Sequence, residues 1–214
     1  MPKPRAVLFD AYGTLFDVHA VTPSGSSLSQ VWRQKQLEYT WLHGLMGTYE
    51  DFARVTESAL RSAIDQLAMQ LTEEQVRNLL EAYFRVPAFE DVRPALESLK
   101  RMPLAILSNG SPKMLDAAVR HNGLESFFTE ILSVDEVRTY KPSPRVYALG
   151  TQRFKLAAEE ILFVSSNWWD AAGAKAFGYR VCWCNRSGAP REHFGVAPDL
   201  TVDGLNQIME ALSD

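Results

Sequence analysis

Asp10 closes an apolar run, Val7-Leu8-Phe9, and Gly13 follows three residues later. In an α/β protein the C-terminal end of a parallel strand opens into the crevice where ligands bind, so a carboxylate there stands where chemistry is done. An aspartate side chain, with a reference pKa of ~3.9, is ionised at neutral pH and is a competent nucleophile; Asp10 reads as one. Three further apolar runs deliver polar residues in the same way. Leu104-Ala105-Ile106-Leu107 runs into Ser108-Asn109-Gly110, Ile131-Leu132-Ser133-Val134 leads through a loop to Lys141-Pro142, and Ile161-Leu162-Phe163-Val164 runs into Ser165-Ser166-Asn167 and then Asp170. Four such ends imply one site assembled from four parallel strands.

The residue types suggest a division of labour. Lys141 would let an anionic substrate approach Asp10 despite the like charge, because charges ~4 Å apart in a partly buried site interact strongly; the alternative is an exposed loop lysine. Thr14 and Ser108 can donate hydroxyl hydrogen bonds to a substrate carboxylate or to Asp10, or can cap turns and helices. Asp170 is a candidate general base, with Asn167, Ser165 and Lys141 positioning it and a water. It could also sit at a helix start and interact with the dipole, and the two roles are compatible.

Short strands alternating with helices predict a parallel sheet with right-handed crossovers, an α/β, doubly wound, Rossmann-like core. Strands are expected at 104–107, 130–134, 161–164, 179–184 and 200–202, with helices from Asp91 to Lys100, over 112–121, 144–154 and 169–177, and at the end of the chain. Between Asp17 and Pro87 the pattern is helical throughout. Ser27 or Ser29 is expected to cap a helix running to Met46, a second helix spans Tyr49 to Met69, and a third follows the Thr72-Glu73-Glu74-Gln75 capping signal. The expected organisation is a core of residues 1–17 and 88–214 with an all-helical cap, 18–87, inserted after the first strand. On the first cap helix Arg33, Leu37, Trp41 and Leu45 share one face. A cation on that face either snorkels to water or points at an anionic guest.

A length of 214 residues suits a core domain with a smaller insertion. The net charge of −4, without a basic run, leaves no electrostatic footprint for nucleic acid. No segment approaches the ~20 apolar residues of a membrane span, and Asp10 interrupts the only candidate signal-peptide core, so a cytoplasmic protein with a small-molecule partner is expected. Cys182 and Cys184, two apart on a strand, would share a face as reduced thiols rather than form a disulfide or a zinc site. His19, His43, His121 and His193 lie beside no serine or cysteine in a nucleophile's context and carry no functional expectation.

Asp10-Ala11-Tyr12-Gly13-Thr14-Leu15, Trp32 to Trp41, Leu107 to Pro112, Tyr140-Lys141-Pro142, and Phe163 to Asn167 leading to Trp169-Asp170 together resemble the haloacid dehalogenase superfamily. Tyr12 stands where the superfamily's phosphatases carry an acidic proton donor, which makes the chain similar to the L-2-haloacid dehalogenases. The resemblance implies hydrolysis of (S)-2-haloacids to (R)-2-hydroxyacids and halide: Asp10 attacks C2 with inversion, and water cleaves the aspartyl ester. It further implies that Arg33 reaches in from the cap and, with Asn109 and Trp169, cradles the halide. Tyr12 would form an apolar wall, and Tyr147 would lie near the substrate carboxylate or Lys141. Ser165-Ser166-Asn167 supplies little carboxylate for magnesium, so no metal and no cofactor are expected. The expected partners are the 2-haloacid and water, with a homodimer formed through cap helices. Two alternatives are a magnesium-dependent phosphatase of the same superfamily and a non-catalytic module that binds a small carboxylate.

Overall fold

The computed structural model describes residues 3–23 and 26–212. Strands β1 (Ala6–Phe9), β2 (Leu104–Ser108), β3 (Glu130–Ser133), β4 (Ile161–Ser165), β5 (Arg180–Cys184) and β6 (Leu200–Val202) form one parallel sheet. Its order is β3-β2-β1-β4-β5-β6, so β1 lies inside the sheet and the chain departs from it to both sides. That is the topology in which ligands bind beyond the carboxyl ends of the strands flanking the switch. Every residue of β1, β2 and β4 is buried, as expected of parallel strands covered on both faces by helices. Pairing carries on past the end of β1, because the Asp10 amide donates to the Val164 carbonyl at 2.9 Å. Backbone pairing therefore fixes where the Asp10 side chain emerges.

Helices α1 (Ser27–Met46), α2 (Phe52–Gln66) and α3 (Glu73–Ala82) lie between β1 and β2 and are followed by α4 (Val92–Leu99). The remaining crossovers are α5 (Pro112–His121), α6 (Pro144–Phe154) and α7 (Trp168–Phe177), and α8 (Ile208–Ala211) ends the fold. The segment holding α1 to α3 leaves and re-enters at one point. Asp17 N donates to the Pro87 carbonyl at 2.9 Å, Phe89 N to the Leu15 carbonyl at 3.0 Å, and Phe16 bridges Ala88. No helix among the described residues is long and apolar enough to cross a membrane.

Three local expectations change. The α1 cap is Ser26, one residue before Ser27 and three before Ser29, with its hydroxyl accepting from Ser29 N at 3.2 Å. The α1 face that is buried is not Arg33, Leu37, Trp41 and Leu45 but Leu28, Ser29, Trp32, Gln36 and Thr40; Leu45 is 86% exposed. The physical reason is that α1 packs on α2 through satisfied polar groups. Trp32 Nε1 donates to the Thr56 carbonyl at 2.8 Å and Gln36 Nε2 to Thr56 Oγ1 at 2.7 Å. α2 is shorter than Tyr49 to Met69, starting after an Asp51 cap, whereas α3 begins with the expected Thr72–Gln75 capping box.

Candidate active site

Asp10 is 5% exposed, and three side chains converge on it. Lys141 Nζ donates to Oδ1 at 3.0 Å, while Thr14 Oγ1 and Asn167 Nδ2 donate to Oδ2 at 3.0 and 2.8 Å. Each comes from a separate strand end or turn. Thr14 is aimed by the turn through Gly13, whose φ of 87° favours glycine, and its hydroxyl also accepts from Ser166 N at 2.8 Å. Asn167 is held by its own amide donating to Ser165 Oγ at 3.1 Å and by Nδ2 reaching the Tyr12 carbonyl at 3.0 Å. Lys141 bridges to Asp170 Oδ2 at 2.8 Å and lies 4.9 Å from the centre of the Phe163 ring.

The other expected residues fall at varied distances from this centre. Tyr147 lies behind Asp170 rather than at an open position: its hydroxyl donates to Asp170 Oδ1 at 2.8 Å. Ser165 bonds within its own turn, and Ser108 Oγ accepts from Gly110 N at 3.1 Å, the turn-capping role. The Asn109 side-chain carbonyl accepts from Lys141 N at 3.0 Å and so holds the lysine's backbone. Arg33 donates to Gln36 Oε1 at 2.7 Å, and its charge acts on the phenols of Tyr12 and Tyr83. Tyr12 is buried against Phe52 and Tyr83, and a Cβ on Gly110 would come within 2.8 Å of its ring. Trp169 packs edge-on against Trp41 at 5.7 Å, and its buried Nε1 has no partner among the described residues.

Burial and charge set the protonation of this cluster. Burial raises Asp170, Lys141 opposes it, Asp10 adds to it, and the carboxyl is held up at about 6. Burial alone would lower Lys141, but the two carboxylates outweigh it and leave the ammonium above its ordinary value. Burial pushes the Tyr12 phenol far up, with Tyr83 adding and Arg33 opposing, so Tyr12 stays neutral. Burial likewise raises Tyr147, reinforced by Asp170, which makes Tyr147 a donor. Among the described residues no three His, Cys, Asp or Glu side chains converge to hold a metal ion.

A family profile described as haloacid dehalogenase-like hydrolase matches residues 4–178. The (S)-2-haloacid dehalogenase of Pseudomonas sp. (strain YL) is 47% identical, over 96% of this chain and 93% of its own. The chain belongs to the L-2-haloacid dehalogenases. Haloacetate dehalogenase H-2 of Moraxella sp. (strain B) is a relative of the same rank, 44% identical over the whole of both chains. The structure of the L-2-haloacid dehalogenase from Xanthobacter autotrophicus with chloropropionic acid covalently bound superposes with a TM-score of 0.89, at 39% identity over 98% of both chains.

A cavity of about 1040 Å³ lies beside the cluster and not over it. Trp41, Leu45, Lys141, Trp169, Phe177 and Phe194 are among its lining, whereas Asp10, Tyr12 and Asn109 are not. Of the hydrogen-bonded cluster, only Lys141 lines that cavity. Two residues of the surroundings escaped sequence reasoning. Gln36 holds Arg33 and was signalled only by a polar residue three positions on, and Arg186 donates to the Thr14 carbonyl at 2.9 Å. An arginine between the apolar strand end at Cys184 and the Ser187-Gly188 turn was the available signal for the second.

Proposed function

We propose that the chain hydrolyses (S)-2-haloacids to (R)-2-hydroxyacids and halide through an ester on Asp10. The observation that carries the reading is a buried carboxylate gripped by Lys141, Thr14 and Asn167, with a neutral tyrosine two residues on. An Asp10 oxygen attacks C2 from the side opposite the halogen, the C2–O bond forms, and the carbon–halogen electron pair leaves with the halide. Lys141 offsets the charge of the approaching 2-haloacid, Ser108 and nearby amides receive its carboxylate, and Tyr12 walls the pocket. Arg33, Asn109 and the unpartnered Trp169 N–H stabilise the departing halide.

Asp170 then takes a proton from water, whose oxygen attacks the Asp10 carboxyl carbon; Tyr147, Lys141, Asn167 and Ser165 keep the base and the turn in place. The Cγ–O bond to the product breaks and the 2-hydroxyacid leaves, taking up the proton. Only the first step touches C2, so the overall outcome is a single inversion. Esterification also removes the Asp10 charge that helps raise Asp170, so the base becomes stronger as an acid and better ionised when it is needed.

Residues 18–87 act as a cap over this cluster, pinned at both ends to the core and carrying Arg33. A homodimer forms through the exposed apolar end of α1, and the two buried free thiols suit a reducing, cytoplasmic setting. The Tyr12 phenol, pushed far up by burial, is a much weaker acid than the carboxyl that a phosphatase of this fold uses, which argues against that alternative.

Halide release from separate enantiomers of 2-chloropropanoate, with chelator present, tests the reading. Turnover of the (S) enantiomer is expected, and Asp10→Asn is expected to lower it by at least about 10³-fold. Magnesium-dependent release of phosphate from esters, without halide release, would overturn the proposal. In a single turnover in H₂¹⁸O the label belongs in Asp10 and not in the product.

A further inference from the structure

Arg186, which follows β5, is remote from the proposed substrate, yet it is bonded to the turn that aims one donor at Asp10. Its guanidinium pairs in a fork with Asp91, Nη1 to Oδ2 and Nη2 to Oδ1, both at 2.9 Å. The same Nη2 donates to the Thr14 carbonyl at 2.9 Å, and the planar group stacks 4.1 Å from the centre of the Phe89 ring. Asp91 is itself fixed ahead of α4, where Oδ2 also accepts from Leu205 N at 2.7 Å. Thr14 lies in a turn outside helix and strand. A planar, permanently charged fork can serve a carboxylate and a carbonyl together, which a lysine ammonium on a flexible stem does poorly.

We infer that Arg186 is a positioning residue for the Asp10 nucleophile: held by Asp91 and Phe89, it locks the Thr14 peptide so that the Thr14 hydroxyl stays on Asp10 Oδ2. The inference rests on the proposed role of Asp10. The line of contact runs from Asp91 through Arg186 and the Thr14 backbone to a hydroxyl 3.0 Å from the carboxylate. Small displacements of a reacting group are costly to rate, so loosening that line should slow the alkylation step while leaving substrate affinity nearly untouched.

The test is Arg186→Lys in the native background and in Thr14→Val, read by single-turnover halide release from (S)-2-chloropropanoate and by crystal structures. In the native background Arg186→Lys is expected to slow halide release about tenfold with KM changed less than about twofold, and in Thr14→Val to change the rate less than about twofold. Equal slowing in both backgrounds, or none, would overturn the proposal, because a residue that only holds β5 to α4 does not act through the threonine hydroxyl. Should Arg186→Lys fail to fold by circular dichroism, Asp91→Asn, which frees the arginine's anchor, takes its place in the same cycle. In the crystal the Thr14 hydroxyl is expected to leave Asp10, and an unchanged contact would overturn the proposal whatever the rates. An unmutated enzyme that releases no halide would sink the dehalogenase reading, and the crystallographic arm would still decide the role of Arg186.

Discussion

Lys141 Nζ is shared by Asp10 Oδ1 and Asp170 Oδ2, while Thr14 and Asn167 donate to the first carboxylate and Tyr147 to the second. Asp170, held up at about 6 beside an ionised Asp10 and lowered once Asp10 is esterified, is the base of the proposed hydrolysis step, so kcat, where ester hydrolysis limits it, should fall as pH drops below about 6. Tyr147 is bonded to the ionised form of Asp170 and lowers its pKa, so Tyr147→Phe should move this acid limb to higher pH and reduce turnover at pH 6 about tenfold; a pH–rate profile checks both. Asp10, Thr14, Lys141 and Asp170 are legible in the sequence because each follows an apolar run, and the sheet brings those ends together. Neither Tyr147 behind Asp170 nor the grip of Asn167 on Asp10 is legible that way. Both depend on helix and turn geometry that no periodicity encodes.

At the scale of elements, strands and crossover helices read out well because fully buried parallel strands have nearly continuous apolar sequences. The face of α1 did not, since its buried stripe contains Gln36 and Thr40, whose polar atoms are satisfied inside. Hydrophobicity alone selects the neighbouring face, the one carrying Arg33. Gln36→Leu should therefore do more than remove polarity: it leaves the Thr56 hydroxyl and Arg33 without that partner, lowering stability by about 1–3 kcal/mol in urea unfolding and raising KM. In α7, Gly173 lets the helix approach α6 closely. A Cβ there would lie 2.5 Å from the Tyr147 hydroxyl and 2.7 Å from Pro142 Cβ, so Gly173→Ala should cost about 1–3 kcal/mol and shift the acid limb as Tyr147→Phe does.

For the whole molecule the unusual surface is the end of α1, where Trp41, Leu42, Leu45 and Met46 are 37%, 42%, 86% and 61% exposed. Contiguous exposed apolar groups of this kind mark interaction sites, and a dimer is the expected state by sedimentation equilibrium, with Leu45→Glu shifting it to monomer. Single-chain reading finds the exposed aromatics but cannot pair them, because a symmetric interface is written in two copies. The sheet order has a different consequence, one in time. Asp10 precedes Lys141 by 131 residues and Asn167 by 157, and the β4 strand that pairs with β1 begins only at Ile161. At ribosomal speeds of about 5–20 residues per second, the carboxylate waits on the order of ten seconds for its lysine. On the proposed mechanism a growing chain thus carries its nucleophile without the cation that draws in the anionic electrophile, and susceptibility to alkylation arrives together with the means to hydrolyse the ester.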